Sequence, residues 1–319
     1  MSTTSINSFS TPILFLIFNR KDVTQRVFDQ IKKAKPKYLY VAADGPRPEN
    51  DADQINCAET REIVNQIDWD CELKTLFREN NLGCGPAVVS AIDWFFKNIE
   101  QGIVLEDDCY PDLSFFDYCE ELLEKYRYTG NVKFIGGNNF QNGNLRGEGS
   151  YYFSRYPTSW GWASWRRSWE LFNHDITEAE QNIAAGKLDS IFNSKQEKKH
   201  WQKSLKMASQ DTKGIWDFHF YYALWKSNGY CITPNKNLVI NLGFFDGGTH
   251  YFLKDSTKTN PRCEEISTPL LHPKDIAINK EADKYTFNHF YSHSLQRAIR
   301  IVRENDLLSI LRYFKHKLQ

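Results

Sequence analysis

The feature that most constrains this fold is a rhythm of short apolar runs, each halted at polar or acidic residues and followed by a helical-period stretch. Ile13-Leu14-Phe15-Leu16-Ile17-Phe18 stops at Asn19-Arg20, as a parallel strand buried on both faces does. Val23, Val27, Phe28 and Ile31 then recur at helical spacing, with Asp22 the expected N-cap and Gln25 at the capping-box position. Tyr38 to Ala43 reads as a second strand broken by Asp44-Gly45-Pro46, and Glu72 to Phe77 as a third. A helix is expected near Ala58 to Ile67. Asn80 to Pro86 reads as a loop, and a helix from Ala87 to about Ile99 precedes the strand Ile103-Val104-Leu105. This alternation predicts an α/β fold, a mostly parallel sheet flanked by helices. Such sheets bind ligands outside the carboxyl ends of their strands, where Asn19-Arg20, Asp44 and Glu106-Asp107-Asp108 fall.

The second half is denser in aromatics, with Tyr151, Tyr152, Phe153, Tyr156, Trp160, Trp162, Trp165 and Trp169 in one short stretch. Helices are expected over Ser164 to Phe172, Lys195 to Ser209 and Asp217 to Lys226, with short strands and loops over 232–252. From His289 to Gln319 the pattern is amphipathic and basic, with Arg297, Arg300, Arg303 and Arg312 opposite Leu307, Leu308, Ile310 and Leu311. That helix either packs on the domain or meets an anionic membrane surface.

Lys+Arg and Asp+Glu both number 40, so the chain lacks the basic footprint of a nucleic-acid binder. No apolar stretch reaches the roughly 20 residues of a membrane span, and the N-terminus has no secretory pattern. Seven cysteines without a CxxC pair fit reduced thiols. The expected location is the cytoplasm, at the inner face of the membrane if the basic helix docks there. P-loop, GxGxxG, nucleophile-elbow and zinc spacings are absent.

Glu106-Asp107-Asp108 is the sharpest local signal. Three adjacent carboxylates repel unless donors or a cation hold them, and oxygen ligands suit Mg²⁺ or Mn²⁺ completed by a diphosphate. The alternative is a solvated acidic turn. Arg20 is either a phosphate ligand or a surface ion-pair partner, and Asp44 either a base or ribose acceptor or a turn opener. Asp217, in an aromatic setting with Trp216, suits a general base or a helix N-cap. His250 is a metal or phosphate ligand, or structural.

In order, Phe18-Asn19-Arg20, Asp44, Glu106-Asp107-Asp108 with Pro111 to Tyr118, Gly137-Asn138-Asn139, Gly161-Trp162, Trp169-Glu170-Leu171, Trp216-Asp217, Pro234 and Thr249-His250 resemble the GT-A nucleotide-sugar glycosyltransferases, in the group around N-acetylglucosaminyltransferase I and its bacterial relatives. The resemblance covers about residues 12–252. It implies a Rossmann-like GT-A domain over 12–265, with a nucleotide-sugar half (12–140) and an acceptor half (141–265), and a C-terminal helical extension over 266–319. It implies a metal-dependent inverting transferase that moves a sugar from a nucleotide sugar, UDP-linked in the relatives, to a hydroxyl of a glycan or lipid-linked glycan. Bacterial surface polysaccharide is the pathway suggested. Asn19, Arg20 and Asp44 would contact the nucleotide, Glu106 and Asp107 the ribose or sugar, and Asp108, with His250, the metal. Asp217 would be the base, although the relative has two acidic residues where this chain has Asp217-Phe218. Trp160, Trp162 and Trp216 would wall the sugar pocket. The rival readings are a metal-dependent nucleotidyltransferase or phosphotransferase, and a non-catalytic glycan-binding module.

Overall fold

The computed structural model describes residues 9–211, 214–244 and 262–292. The first half alternates strictly: β1 (Ile13–Ile17), α1 (Lys21–Ala34), β2 (Tyr38–Ala43), α2 (Asp51–Arg61), β3 (Glu72–Phe77), α3 (Cys84–Asn98) and β4 (Gln101–Glu106). A short β5 (Cys109–Pro111), α4 (Ser114–Lys125), β6 (Val132–Gly136), β7 (Tyr151–Ser154) and β8 (Trp162–Trp165) follow. The rest is mostly helical: α5 (Arg166–Trp169), α6 (Ala179–Ala184), α7 (Lys195–Gln210), α8 (Asp217–Lys226), then β9 (Tyr230–Pro234), β10 (Val239–Asn241) and α9 (Lys280–Thr286).

Eight strands form one Rossmann-like sheet in the order β3-β2-β1-β4-β8-β6-β9-β7. β1 to β4, β6 and β9 run one way, while β8 runs against β4 and β6 and β7 against β9. The sheet thus passes through both expected halves of the chain. Along β1 the side chains alternate: Ile13, Phe15 and Ile17 join one core layer with Phe28 of α1 and Phe115 of α4. Leu14 and Leu16 join the other with Ile92 and Phe95 of α3 and Phe220 of α8. Each such side chain contributes about 1.5–3 kcal/mol by leaving water, so both faces must be apolar and the run reads as continuous. A third aromatic layer, including Tyr156, Trp201 and Trp225, joins α7 to the outer side of α8.

Three local expectations are corrected. Ser164 and Trp165 belong to strand β8, not to a helix over Ser164 to Phe172; only Arg166–Trp169 is helical. All four β8 residues are buried, and Trp162, Trp165 and Trp169 imitate helical spacing while two of them sit in a strand. Asp22 does not cap α1: Arg20 holds the cap position, and its carbonyl accepts from the Thr24 backbone N–H (2.9 Å) and hydroxyl (2.7 Å). α2 starts at Asp51, capped by Asn50, and the stretch Glu62–Gln66 is a 3₁₀ turn. In the expected extension, Ile266 and Leu270 pack into the first core layer and Lys280–Thr286 is helical, while residues 293–319, with the basic amphipathic pattern, lie outside the described residues.

Candidate active site at the ends of β1 and β4

The chain leaves β1 toward β2 and β3 on one side and returns to β4 on the other. Loops after β1 and β4 therefore diverge, leaving the crevice at which open α/β sheets bind ligands. Arg20 stands just after β1 and Glu106, Asp107 and Asp108 at the end of β4. The backbone of Arg20 caps α1, while its side chain crosses the crevice. Nη2 donates to Asp107 Oδ1 in a very short contact and to Asp108 Oδ2 at 3.0 Å, and Nε to Asp107 Oδ2 at 3.3 Å.

Asp108 is fixed from the other side by the small β5–β10 ribbon. Leu242 N–H donates to its carbonyl (2.7 Å), and Asn241 Nδ2 donates to Oδ1 (3.3 Å). A Cβ on Gly243 would stand 2.7 Å from Asp108 Oδ2, so glycine lets this turn close over the carboxylate.

The cluster is short of positive charge. Desolvation at the strand end pushes the Glu106 carboxyl up, and the Asp108, Asp107 and Asp217 carboxylates push it further, with Arg20 only partly offsetting them. Desolvation also raises Asp107, against the pull of the Arg20 guanidinium. For Arg20, desolvation works against the charge, but Asp107 and Asp108 outweigh it and hold the guanidinium above its usual value. The guanidinium's hydrogen bonds go to Asp107 and Asp108, so Glu106 feels Arg20 only through its charge. Asp217, at the start of α8, is half-buried; its own carboxylate accepts from Phe218 N–H at 3.0 Å. Cys84 opens α3 facing the same charges: desolvation, then Glu106, Asp217, Asp107 and Asp108, push its thiol up to about 12. Cys84 is solvent-exposed yet desolvated, as a residue on the wall of a cleft is.

The other expected site residues fall as follows. Asp44 holds a loop: its carboxylate accepts from the N–H of Gly45 (2.9 Å), Leu82 (2.9 Å) and Gly83 (3.1 Å) and from Asn81 Nδ2 (3.0 Å). Asn19 donates to buried Asp53 (2.7 Å), which also takes both a backbone and a guanidinium hydrogen bond from Arg47. The Arg47 contact, outweighing desolvation, lowers Asp53 to about 2. Sequence reasoning missed this trio; its signal was an acidic residue on the otherwise polar α2 that is 1% exposed only in the fold. Trp162 is also 1% exposed, its ring stacked on Phe134 in the second core layer. Trp216 is buried in the same layer, and Trp160 is half-buried beside Phe140 and Phe290. His250 lies outside the described residues.

Among the described residues no three His, Cys, Asp or Glu side chains are disposed to cage a metal ion. Asp108 offers hard oxygen donors, as the one or two carboxylates do that hold Mg²⁺ or Mn²⁺ where phosphates complete the shell, but its Oδ2 is occupied by Arg20, whose guanidinium would have to move toward those phosphates. A groove of about 320 Å³ elsewhere, lined by Lys21, Gln25, Glu59 and Gln66, has no such cluster. No described helix is long and apolar enough to cross a membrane.

No protein-family model matches the chain, and no curated protein matches it. Among solved structures it is similar to an apo UDP-glucose pyrophosphorylase at 11% identity and a TM-score of 0.38, covering 74% of this chain and 95% of that one. It is also similar to HddC from Yersinia pseudotuberculosis (11%, 0.32, 51% and 80%). A third is 4-diphosphocytidyl-2C-methyl-D-erythritol synthase from Anaerococcus prevotii DSM 20548 (9%, 0.28, 64% and 87%). All three are distant, so the chemistry of this chain rests on its own residues.

Proposed function

We propose that this protein is a divalent-metal-assisted transferase acting on a nucleotide sugar, and that it moves the sugar to a hydroxyl acceptor. The observation that carries the reading is the charge imbalance at the sheet's switch point: Glu106, Asp107 and Asp108 at the end of β4, with Asp217 nearby, against Arg20 among the described residues. An anionic diphosphate and a cation together relieve that imbalance, which a free sugar alone does not. Asp108 would hold the metal, which when bound would stabilise charge on a leaving diphosphate. Arg20 would then exchange part of its carboxylate contact for phosphate, for which its planar fork is suited. Asp217, on the opposite wall, would accept the proton of an acceptor hydroxyl attacking the anomeric carbon from the face away from the diphosphate, inverting it. Trp160 and Trp216 would flank that acceptor side.

The second reading, nucleotidyl transfer, is favoured by Arg20 itself, because a guanidinium at the phosphate end also serves attack at phosphorus. Products separate the two. Glycosyl transfer releases a nucleoside diphosphate, and nucleotidyl transfer releases pyrophosphate. Thermal denaturation with UDP, GDP, CDP and CMP, with and without Mn²⁺, names the donor. Asp217→Asn is expected to keep nucleotide binding and lose about 10³-fold in sugar transfer. Full transfer by that variant removes Asp217 as base.

A further inference from the structure

Buried polar side chains in native proteins are almost always hydrogen-bonded, so a group of orphans in one place marks a site. Such a group lies at the carboxyl end of β6. Asn138 is 1% exposed, and neither its Oδ1 nor its Nδ2 has a partner among the described residues. The buried Thr158 hydroxyl and the Trp162 indole N–H are orphaned too.

All three residues adjoin Gly136. Trp162 is its cross-strand partner, and a Cβ on Gly136 would collide with Thr158 Oγ1. Phe134 faces the second core layer, whereas a Cβ on Gly137 would meet Val239 and Phe115 of the first. Alternation therefore returns Asn138 to the second layer, on the side of Thr158 and Trp162. That is the face on which Trp216, 6.3 Å from Trp162 between ring centroids, leads into Asp217. β8 lies between β6 and β4, with Trp162 paired to Val104 two residues before Glu106. The orphans thus stand beside the carboxylate crevice, on the wall that carries Asp217.

We propose that Asn138, Thr158 and Trp162 form a hydroxyl-reading subsite for a hexopyranose ring, resting on the nucleotide-sugar reading above. A carboxamide presents a donor and an acceptor side by side and so matches two neighbouring hydroxyls; the threonine hydroxyl does either job, and the indole N–H donates. A ring with an apolar face and a polar rim also suits the surrounding aromatic layer. The four atoms are shielded, so a sugar reaches them with a shift of a covering side chain. The sugar is either the donor's or the acceptor's, and the test separates them.

The test compares wild type, Asn138→Leu and Thr158→Val by thermal denaturation. The probes are UDP, UDP-glucose and UDP-N-acetylglucosamine with Mn²⁺, and free glucose, galactose and N-acetylglucosamine. Leucine nearly matches the shape of asparagine while removing an unpaired amide, so Asn138→Leu is expected to keep or raise the melting temperature. It is also expected to keep the UDP shift. Loss of the extra shift that a UDP-sugar gives over UDP, with affinity about tenfold weaker, assigns the subsite to the donor. Loss of the free-sugar shift instead assigns it to the acceptor. Thr158→Val is expected to act in the same direction, less strongly. The proposal is overturned if wild type answers to no sugar, if both variants keep every sugar-dependent shift, or if Asn138→Leu melts several degrees lower, which would mean the amide is paired. A wild type that ignores UDP but answers to free sugars removes the nucleotide reading and leaves the subsite standing.

Discussion

Two of the regions in which this protein buries carboxylates do so in opposite ways. Around the third aromatic layer each acid has its own donors. Glu197 accepts from the Tyr156 hydroxyl and from Asn193 N–H (2.6 Å), and Asp283 from the Ser154 hydroxyl (2.5 Å) and Arg155 N–H (3.0 Å). At the ends of β1 and β4, Asp107 and Asp108 share one guanidinium and Glu106 gains no such contact. The first region satisfies its acids from within and ties α7 and α9 to the end of β7. The second leaves a deficit that something from outside must meet. Burial alone therefore separates nothing here; the shared guanidinium and a Glu106 carboxyl without a described donor do.

Three substitutions test that contrast. The largest effect is expected for Asp108→Ala, which should lower transfer by about 10³-fold and abolish metal-dependent stabilisation by nucleotide, while leaving the melting temperature of the free protein unchanged or higher because it relieves repulsion. A melting temperature that falls by several degrees would make Asp108 a structural acid like Glu197. Glu197→Ala should do the reverse. It strands buried donors at a cost of about 1–3 kcal/mol, a loss of several degrees, with nucleotide affinity of the folded protein unchanged. Calorimetry and titration on the same sample separate the two outcomes.

The smallest effect concerns pH. Desolvation raises the Asp283 carboxyl to about 7, against the Ser154 and Arg155 hydrogen bonds, with Glu197 adding to the rise and the Arg155 charge offsetting it. The folded state then binds this proton more tightly than the unfolded chain, so the stability it confers is full below about pH 4 and is lost as pH rises through 7. Asp283→Asn should flatten the stability profile across that window. A slope unchanged from wild type would place the titrating group elsewhere.

Much of the region around β1 and β4 was legible in the sequence. Strands covered on both faces must be apolar throughout, so β1, β2 and β4 announced themselves and their ends located Arg20 and Glu106 to Asp108. Asp217–Lys226 was legible too, from its acidic start and aromatic period. β8 was not, because a strand walled by helices on both sides and a buried helix share one apolar pattern, and the tryptophans at 162, 165 and 169 favour the wrong one. The place of Asp44 at a strand end was plain, but its backbone N–H partners nearly forty positions away were not. Asn138 stood in the sequence only within the Gly137-Asn138-Asn139 element of the resemblance, which says nothing of an amide left without partners in the fold.

The Asp44 contacts have a kinetic consequence. A stretch written Asn80-Asn81-Leu82-Gly83 should surrender its amide hydrogens to deuterium as fast as any open loop, yet the Leu82 and Gly83 amides both end on that carboxylate. Those hydrogens should exchange slowly, on the clock of β2 and not of a loop. The lip of the cleft from which α3 and Cys84 begin is then set before any ligand arrives, and binding loses little entropy in ordering it.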